Sequence, residues 1–144
     1  MRALLDVNFV IALFDPDHVF HERSHDWWAA NRTNGWASCP LTENGVVRIM
    51  SNPNYSRKAR FTPGDIIARV EKFATDADHE FWPDEISLRD ESFFDRRRLH
   101  TSHQLTDLYL LALATQNNGR LVTFDTAIPI SAVVGAEMFR LSVP

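Results

Sequence analysis

Cysteine occurs once in these 144 residues, at Cys39, which excludes an internal disulfide and a Cys-rich zinc site. Lysine is nearly as scarce, with only Lys58 and Lys72, so the basic residues are almost all arginine. Against 19 acidic residues the 15 basic ones leave a formal charge of −4. That excludes a protein holding nucleic acid by bulk positive charge alone. Long apolar runs are missing too. The longest, Leu108 to Thr115, is a helix-core length, well short of the roughly 18–20 residues that span a bilayer. At the start, Met1-Arg2 is followed by three apolar residues and then Asp6. A secretory leader needs an apolar stretch of about 7–15 residues, so a cytoplasmic protein is expected. No repeat, Ser/Gly linker or charge block divides residues 1–144, which are expected to form a single domain. What the chain has instead is core material. Hydrophobic residues make up 44%, with 10 Phe and 4 Trp, and this excludes a disordered chain.

Read in order, Ala3-Leu4-Leu5 is a short buried strand ending on Asp6. Val7 to Phe14 is mostly apolar and closes on the Asp15-Pro16 turn. His18 to Asn31 reads as a helix stopped by Asn34-Gly35. Trp36 to Cys39 is a second strand, and Pro40 starts a helix that breaks at Asn52-Pro53. Ser51 to Thr62 is a polar, basic loop. Pro63 opens a further helix carrying Ile66, Ile67, Val70 and Phe73. His79 to Trp82 is a third strand, and a short helix is expected around Ser92–Arg97. Thr106 to Gln116 is apolar nearly all round, so a buried helix, stopped by Asn117-Asn118-Gly119. Arg120 to Phe124 is a strand ending on Asp125, and Met138 to Leu141 is the last. Short strands alternating with helices define an α/β fold with a mainly parallel sheet of about five strands. Its binding crevice lies off the carboxyl ends of those strands.

That rule selects four acids. Asp6 follows the first strand, and Glu43 lies in the first turn of the helix after the second. From Asp107 the helix carries the chain about 16 Å away at 1.5 Å per residue. The strand Arg120–Phe124 returns it by about 16 Å at roughly 3.3 Å per residue, so Asp125 comes back level with Asp107. Like charges gathered on one edge need neutralising, and a hard divalent cation, Mg²⁺ or Mn²⁺, does so with oxygen ligands. Such a centre activates water and stabilises charge on a phosphate. Singly, each acid has a local role open to it. Asp107 suits a helix first turn, and Glu43 suits a capping arrangement.

Leu4-Leu5-Asp6-Val7-Asn8, Thr42-Glu43, Leu105-Thr106-Asp107-Leu108-Tyr109-Leu110 and Val122-Thr123-Phe124-Asp125 together resemble the motifs of PIN-domain ribonucleases, in particular the VapC-type toxins of bacterial toxin–antitoxin pairs. The resemblance covers essentially the whole chain, including the Asp15-Pro16-Asp17-His18 turn. It implies a three-layer α/β/α sandwich and a metal-dependent endoribonuclease leaving 5′-phosphate and 3′-hydroxyl ends. It also implies a homodimer and an inhibitory VapB-type antitoxin as partners, with RNA as substrate. Carried over, Asp6, Glu43, Asp107 and Asp125 are the acidic quartet, with Asp6 and Asp107 the direct ligands of Mg²⁺ or Mn²⁺ and Glu43 and Asp125 ligands or through-water partners. Asn8 and Thr123 match positions that orient the carboxylates through hydrogen bonds. A housekeeping RNA-processing nuclease is the other branch within the family.

Other residues invite other readings. Arg57, Lys58 and Arg60 form one basic group, and Arg96, Arg97 and Arg98 with His100 and His103 form another. Either can meet RNA phosphates, although a charge run also serves as a plain solvated face. His18, His21 and His25 share one face of the expected helix, where a polar surface is the default and zinc the rival. Cys39 reads as a buried thiol. A phosphohydrolase with a nucleophilic aspartate wants a second Asp where this chain has Asn8. A non-enzymatic Mg²⁺-binding interaction module stays open. Setting the four acids aside leaves a remainder with no net charge, so the acidity is expected to sit in one pocket.

Overall fold

The computed structural model describes residues 1–144. Five short strands, β1 (Ala3–Leu5), β2 (Trp36–Ser38), β3 (His79–Phe81), β4 (Arg120–Val122) and β5 (Leu141–Ser142), form one sheet in the order β3-β2-β1-β4-β5. Every pairing is parallel. The helices are α1 (Val7–Phe14), α2 (His21–Asn31), α3 (Pro40–Met50), α4 (Pro63–Asp76) and α5 (Leu105–Gln116). The chain runs from β1 outward to β3, then crosses back to place β4 on the other side of β1. The topological switch point therefore lies between β1 and β4, where a crevice opens in such sheets.

Strand residues alternate between two cores, which is why the strands read as unbroken apolar runs. Leu4, Ala37 and Leu121 face α5, together with Cys39, Trp82, Phe94 and Val133. Ala3, Leu5, Trp36 and Val122 face α1, α3 and α4, against Phe9, Val10, Val46 and Ile66. Helix layers thus cover both faces of the sheet, the expected three-layer sandwich. From Leu108 to Ala114 every α5 residue is buried, so its lack of a polar stripe follows from packing on all sides.

Local chemistry sets the helix ends. Asp6 caps α1 by accepting the Val7 amide at 2.7 Å. Thr62 and Asp65 cap α4 reciprocally, with Pro63 at the first position. At α3 the partner of the Cys39 backbone is the Thr42 hydroxyl, at 3.0 Å, so Glu43 is not the capping residue the sequence allowed. Gly45 lets α3 lie against α1, since a Cβ there would stand 2.7 Å from a Val7 methyl.

Several boundaries differ from expectation. β2, β3 and β4 each end earlier than their apolar runs, at Ser38, Phe81 and Val122. The last strand is Leu141–Ser142, because Met138–Arg140 forms a 3₁₀ turn with Met138 and Phe139 exposed. The expected helix at Ser92–Arg97 is a turn at Arg96–Arg98, preceded by a bridge from Phe94 to Val133. Helix α2 starts at His21, since the His18 ring accepts the Phe20 amide at 3.0 Å and holds a turn there. His18, His21 and His25 therefore share no helix face. His21 and His25 instead bond the Ala12 and Leu13 carbonyls at 2.7 and 2.9 Å, satisfying the open end of α1. Cys39 is fully buried, and burial pushes its thiol pKa up to about 11.

Leu111 is fully buried between α5 and the sheet. Leu111→Ala is expected to cost about 2–5 kcal/mol by transfer and cavity terms. Urea denaturation reads this as a lower midpoint at unchanged slope.

Candidate active site

The carboxyl edge at the switch point is built around two strands that end side by side. Leu5 pairs with Val122, and the Asp6 amide extends the ladder by donating to the Val122 carbonyl at 3.0 Å. One residue further along β4, Thr123 is fully buried. Its hydroxyl donates to Asp6 Oδ2 at 3.0 Å and accepts the Asp125 amide at 3.1 Å. Asp6 Oδ1 takes the Val7 amide, so both oxygens of a carboxylate only 7% exposed are held. Burial pushes the Asp6 pKa up, against the pull of the Thr123 and Val7 bonds.

Asp107 projects from the first turn of α5 into the same place. Burial, then the negative charges of Asp6 and Asp125, and last a side-chain hydrogen bond with Asp125, push its pKa up to about 7. No lysine or arginine charge offsets the pair Asp6 and Asp107. Three carboxylates are thus brought together with no cation of the chain's own.

The fourth acid stands apart. The half-buried Glu43 accepts the Ser38 hydroxyl at 2.6 Å, and His79 Nε2 lies 2.8 Å from the same hydroxyl. A carboxylate only accepts, so the hydroxyl proton goes to Glu43 and His79 donates to the Ser38 oxygen. The His79 ring lies tilted against Trp36, with centroids 4.3 Å apart. Sequence reasoning missed Ser38 and His79, because their meeting depends on β2 and β3 being neighbours. Asn8 is exposed, and Asp6 draws its bonds from Val7 and Thr123 instead.

The basic groups are largely occupied. Asp95 takes Arg97 at 3.0 Å and Arg98 at 3.3 Å, while Glu91 takes Arg96 at 3.2 Å. Lys58 reaches Asp17 at 3.4 Å, whereas Arg57 and Arg60 are exposed. Their loop is tied to the far end of α1, where the Tyr55 hydroxyl donates to Asp15. Helix α1 puts that anchor about 12 Å from Asp6 at 1.5 Å per residue. His103 is exposed in the 3₁₀ turn that leads into α5.

An all-oxygen donor set with no internal cation, in which the Asp6 and Asp107 pKa values are raised, fits a hard divalent metal. As they stand, the side chains do not close a cage, since no three His, Cys, Asp or Glu groups are gathered tightly enough to hold an ion. Like charges resist closer approach of such groups until a cation offsets them.

The chain belongs to the PIN domain family, which it matches over residues 3–133. It is similar to Ribonuclease VapC44 of Mycobacterium tuberculosis, 47% identical over 143 residues that cover 99% of each chain. Ribonuclease VapC39 of the same organism is 44% identical over 135 residues, 94% of this chain and 96% of the relative. In fold it resembles VapBC2 from Rickettsia felis, solved bound to a DNA fragment from its promoter. The TM-score is 0.55 at 16% identity, over 90% of this chain and 94% of that one. DNA-bound VapBC from Salmonella typhimurium gives 0.55 at 15% identity, over 99% and 98% of the two chains.

The raised Asp107 pKa has a stability consequence with a definite sign. The folded state favours the protonated acid, so this contribution is full below about pH 4 and is lost as pH rises through about 7. Asp107→Asn removes the penalty. In EDTA at pH 8 the variant is expected to be more stable than wild type by about 1–2 kcal/mol, discounted for the half-exposed site. Urea melts at pH 4 and pH 8 test this, and equal stability at pH 8 would contradict it.

Proposed function

We propose that the chain, acting as a single domain over residues 1–144, is a Mg²⁺- or Mn²⁺-dependent endoribonuclease toxin of the cytoplasm. The observation that carries this reading is the convergence of Asp6, Asp107 and Asp125 at the switch point with no cation beside them. The likeness to ribonucleases of the VapC kind supports RNA as substrate. The VapBC complexes among its structural neighbours support a VapB-type antitoxin as partner, and the family resemblance implies a homodimeric toxin.

Asp6, Asp107 and Asp125 would hold the metal, with Glu43 joining through water or by turning from Ser38. When bound, the metal supplies an activated water and charge to stabilise the phosphorane-like transition state. The chain's own groups do the positioning. Thr123 fixes the orientation of Asp6 and ties it to the Asp125 backbone. Asp107, whose pKa is raised to about 7 without a metal, would be held in its charged, metal-binding form by the cation. The inward face of the site is closed by Leu5, Val122 and Leu108, all fully buried, which keeps water away from the back of the carboxylates. Arg57 and Arg60 are free to meet phosphates, while Arg96, Arg97 and Arg98 must exchange Glu91 and Asp95 for RNA. Lys58 has only an exposed pair to give up, and His103 stands beside the entrance to α5. Attack by water at phosphorus with the 3′ oxygen as leaving group would leave 5′-phosphate and 3′-hydroxyl ends.

Purified protein incubated with total RNA and Mg²⁺ or Mn²⁺ tests the reading. Cleavage is expected to vanish with EDTA and to fall at least about 100-fold in Asp6→Asn, as for loss of a metal ligand. Equal cleavage by wild type and Asp6→Asn would sink it. Cleavage that persists in EDTA would do the same.

A further inference from the structure

Helix α2 is largely polar and fully buries only Ser24, resting on the core through the partly buried Trp27 and Trp28. Two of its residues, Arg23 and Trp27, lie one turn apart and both reach the segment Leu141–Pro144. The Trp27 indole N–H donates to the Ser142 hydroxyl at 3.1 Å, and the Arg23 guanidinium donates to the Pro144 carbonyl. Ser142 in turn accepts the Thr123 amide through its carbonyl, at 3.1 Å. Thr123 is the residue whose hydroxyl holds Asp6 and the Asp125 amide. The next residue is held from the same side. Phe124 stacks on Phe20 at 4.4 Å and on Phe9 at 5.6 Å, and the Arg23 guanidinium lies 5.7 Å from the Phe124 ring centre.

We propose that Arg23, Trp27 and Ser142 are positioning residues for the aspartate site, acting through the Thr123 backbone and the Phe124 ring. This rests on the metal-centre reading above. β5 is only two residues long and pairs with β4 alone, so its ladder is weak without outside support. Trp27 and Arg23 provide that support. Trp27 is itself fixed, edge-on to Phe9 at 5.2 Å and under the Arg120 guanidinium at 5.2 Å. Loosening β5 frees the Thr123 amide, and with it the hydroxyl that sets the spacing of Asp6 and Asp125. Mg²⁺ demands near-octahedral placement of its ligands, so small displacements there weaken binding and turnover.

The test uses Trp27→Phe, which keeps the ring and removes the donor, together with Ser142→Ala and Ser142→Thr. Glu22→Gln on the same helix serves as control. Trp27→Phe and Ser142→Ala are each expected to weaken Mn²⁺ binding, measured by calorimetry, about tenfold. They are expected to lower kcat for RNA cleavage similarly, with KM within about twofold. The double variant should be no worse than either single one, and Ser142→Thr should restore both values. Hydrogen exchange at the Thr123 and Asp125 amides should accelerate about tenfold or more with the same melting temperature. Unchanged exchange and Mn²⁺ affinity in Trp27→Phe and Ser142→Ala would overturn the proposal, as would losses that merely track stability. If wild type binds Mn²⁺ but cuts no RNA, the nuclease reading fails, while the exchange and affinity data still decide the positioning role.

Discussion

The hydrogen bond from the Asp6 amide to the Val122 carbonyl ties the first strand to the fourth at the point where both leave the sheet. Because β1 and β4 are parallel, Asp6 and Thr123 emerge on the same edge. An antiparallel pair would send them to opposite edges and leave no site. The bond also places Asp6 where it caps α1, so the direction of that helix and the orientation of the carboxylate are set by one residue. α1 in turn packs against α3, which Gly45 lets approach. Much of the sandwich on that face is arranged around the position of a single buried acid.

Gathering acids in this way opposes stability. Asp6 is nearly buried, Asp107 is half-buried, and neither has a cationic neighbour within the chain. Every polar contact at the edge lessens that opposition without removing it. The Thr123 hydroxyl and the Val7 amide favour the charged form of Asp6, while burial and the charges of Asp6 and Asp125 favour the protonated form of Asp107. What is left is a site under electrostatic tension, the condition in which a divalent cation gains most from binding. Glu43, bonded to Ser38 and backed by His79, adds no charge to the three aspartates in this arrangement.

Much of this was legible in the sequence where one residue type has one physical consequence. Pro40 and Pro63 mark helix starts, Asn117-Asn118-Gly119 marks a stop, and Asn118 takes a positive φ of 54° there. The runs ending on Asp6 and Asp125 announce strands that deliver acids to the carboxyl edge. The misses come from contacts between residues far apart in the chain. The last strand lies at Leu141–Ser142 and not at the expected Met138–Leu141, because a two-residue edge strand has no period to fix its bounds and its contacts with α2 come from far away in the sequence. The histidines at 18, 21 and 25 look like a face until the His18 ring bonds the Phe20 amide and delays the helix. Glu43 looks like a cap until Thr42 takes that role and leaves its carboxylate to Ser38.

The charge distribution follows from the same pairing logic. Arg2 is held by Asp78 and Glu80, Arg96 by Glu91, and Arg97 and Arg98 by Asp95. Local acids therefore quench much of the arginine content, so the −4 does not describe a uniformly acidic surface. Two groups of unpaired charge lie apart. Negative charge collects at the switch point, while exposed Arg57 and Arg60 sit on the loop anchored beyond the far end of α1. A polyanion is repelled by the first group and drawn by the second. Its approach to the aspartates therefore depends on local cations, including a bound metal, and not on the molecule's overall field. Exposed ion pairs of the Arg97–Asp95 kind are worth little in water and exchange partners readily. Those arginines can turn to phosphate without cost to the fold, because the sandwich is held by the two apolar cores beneath them.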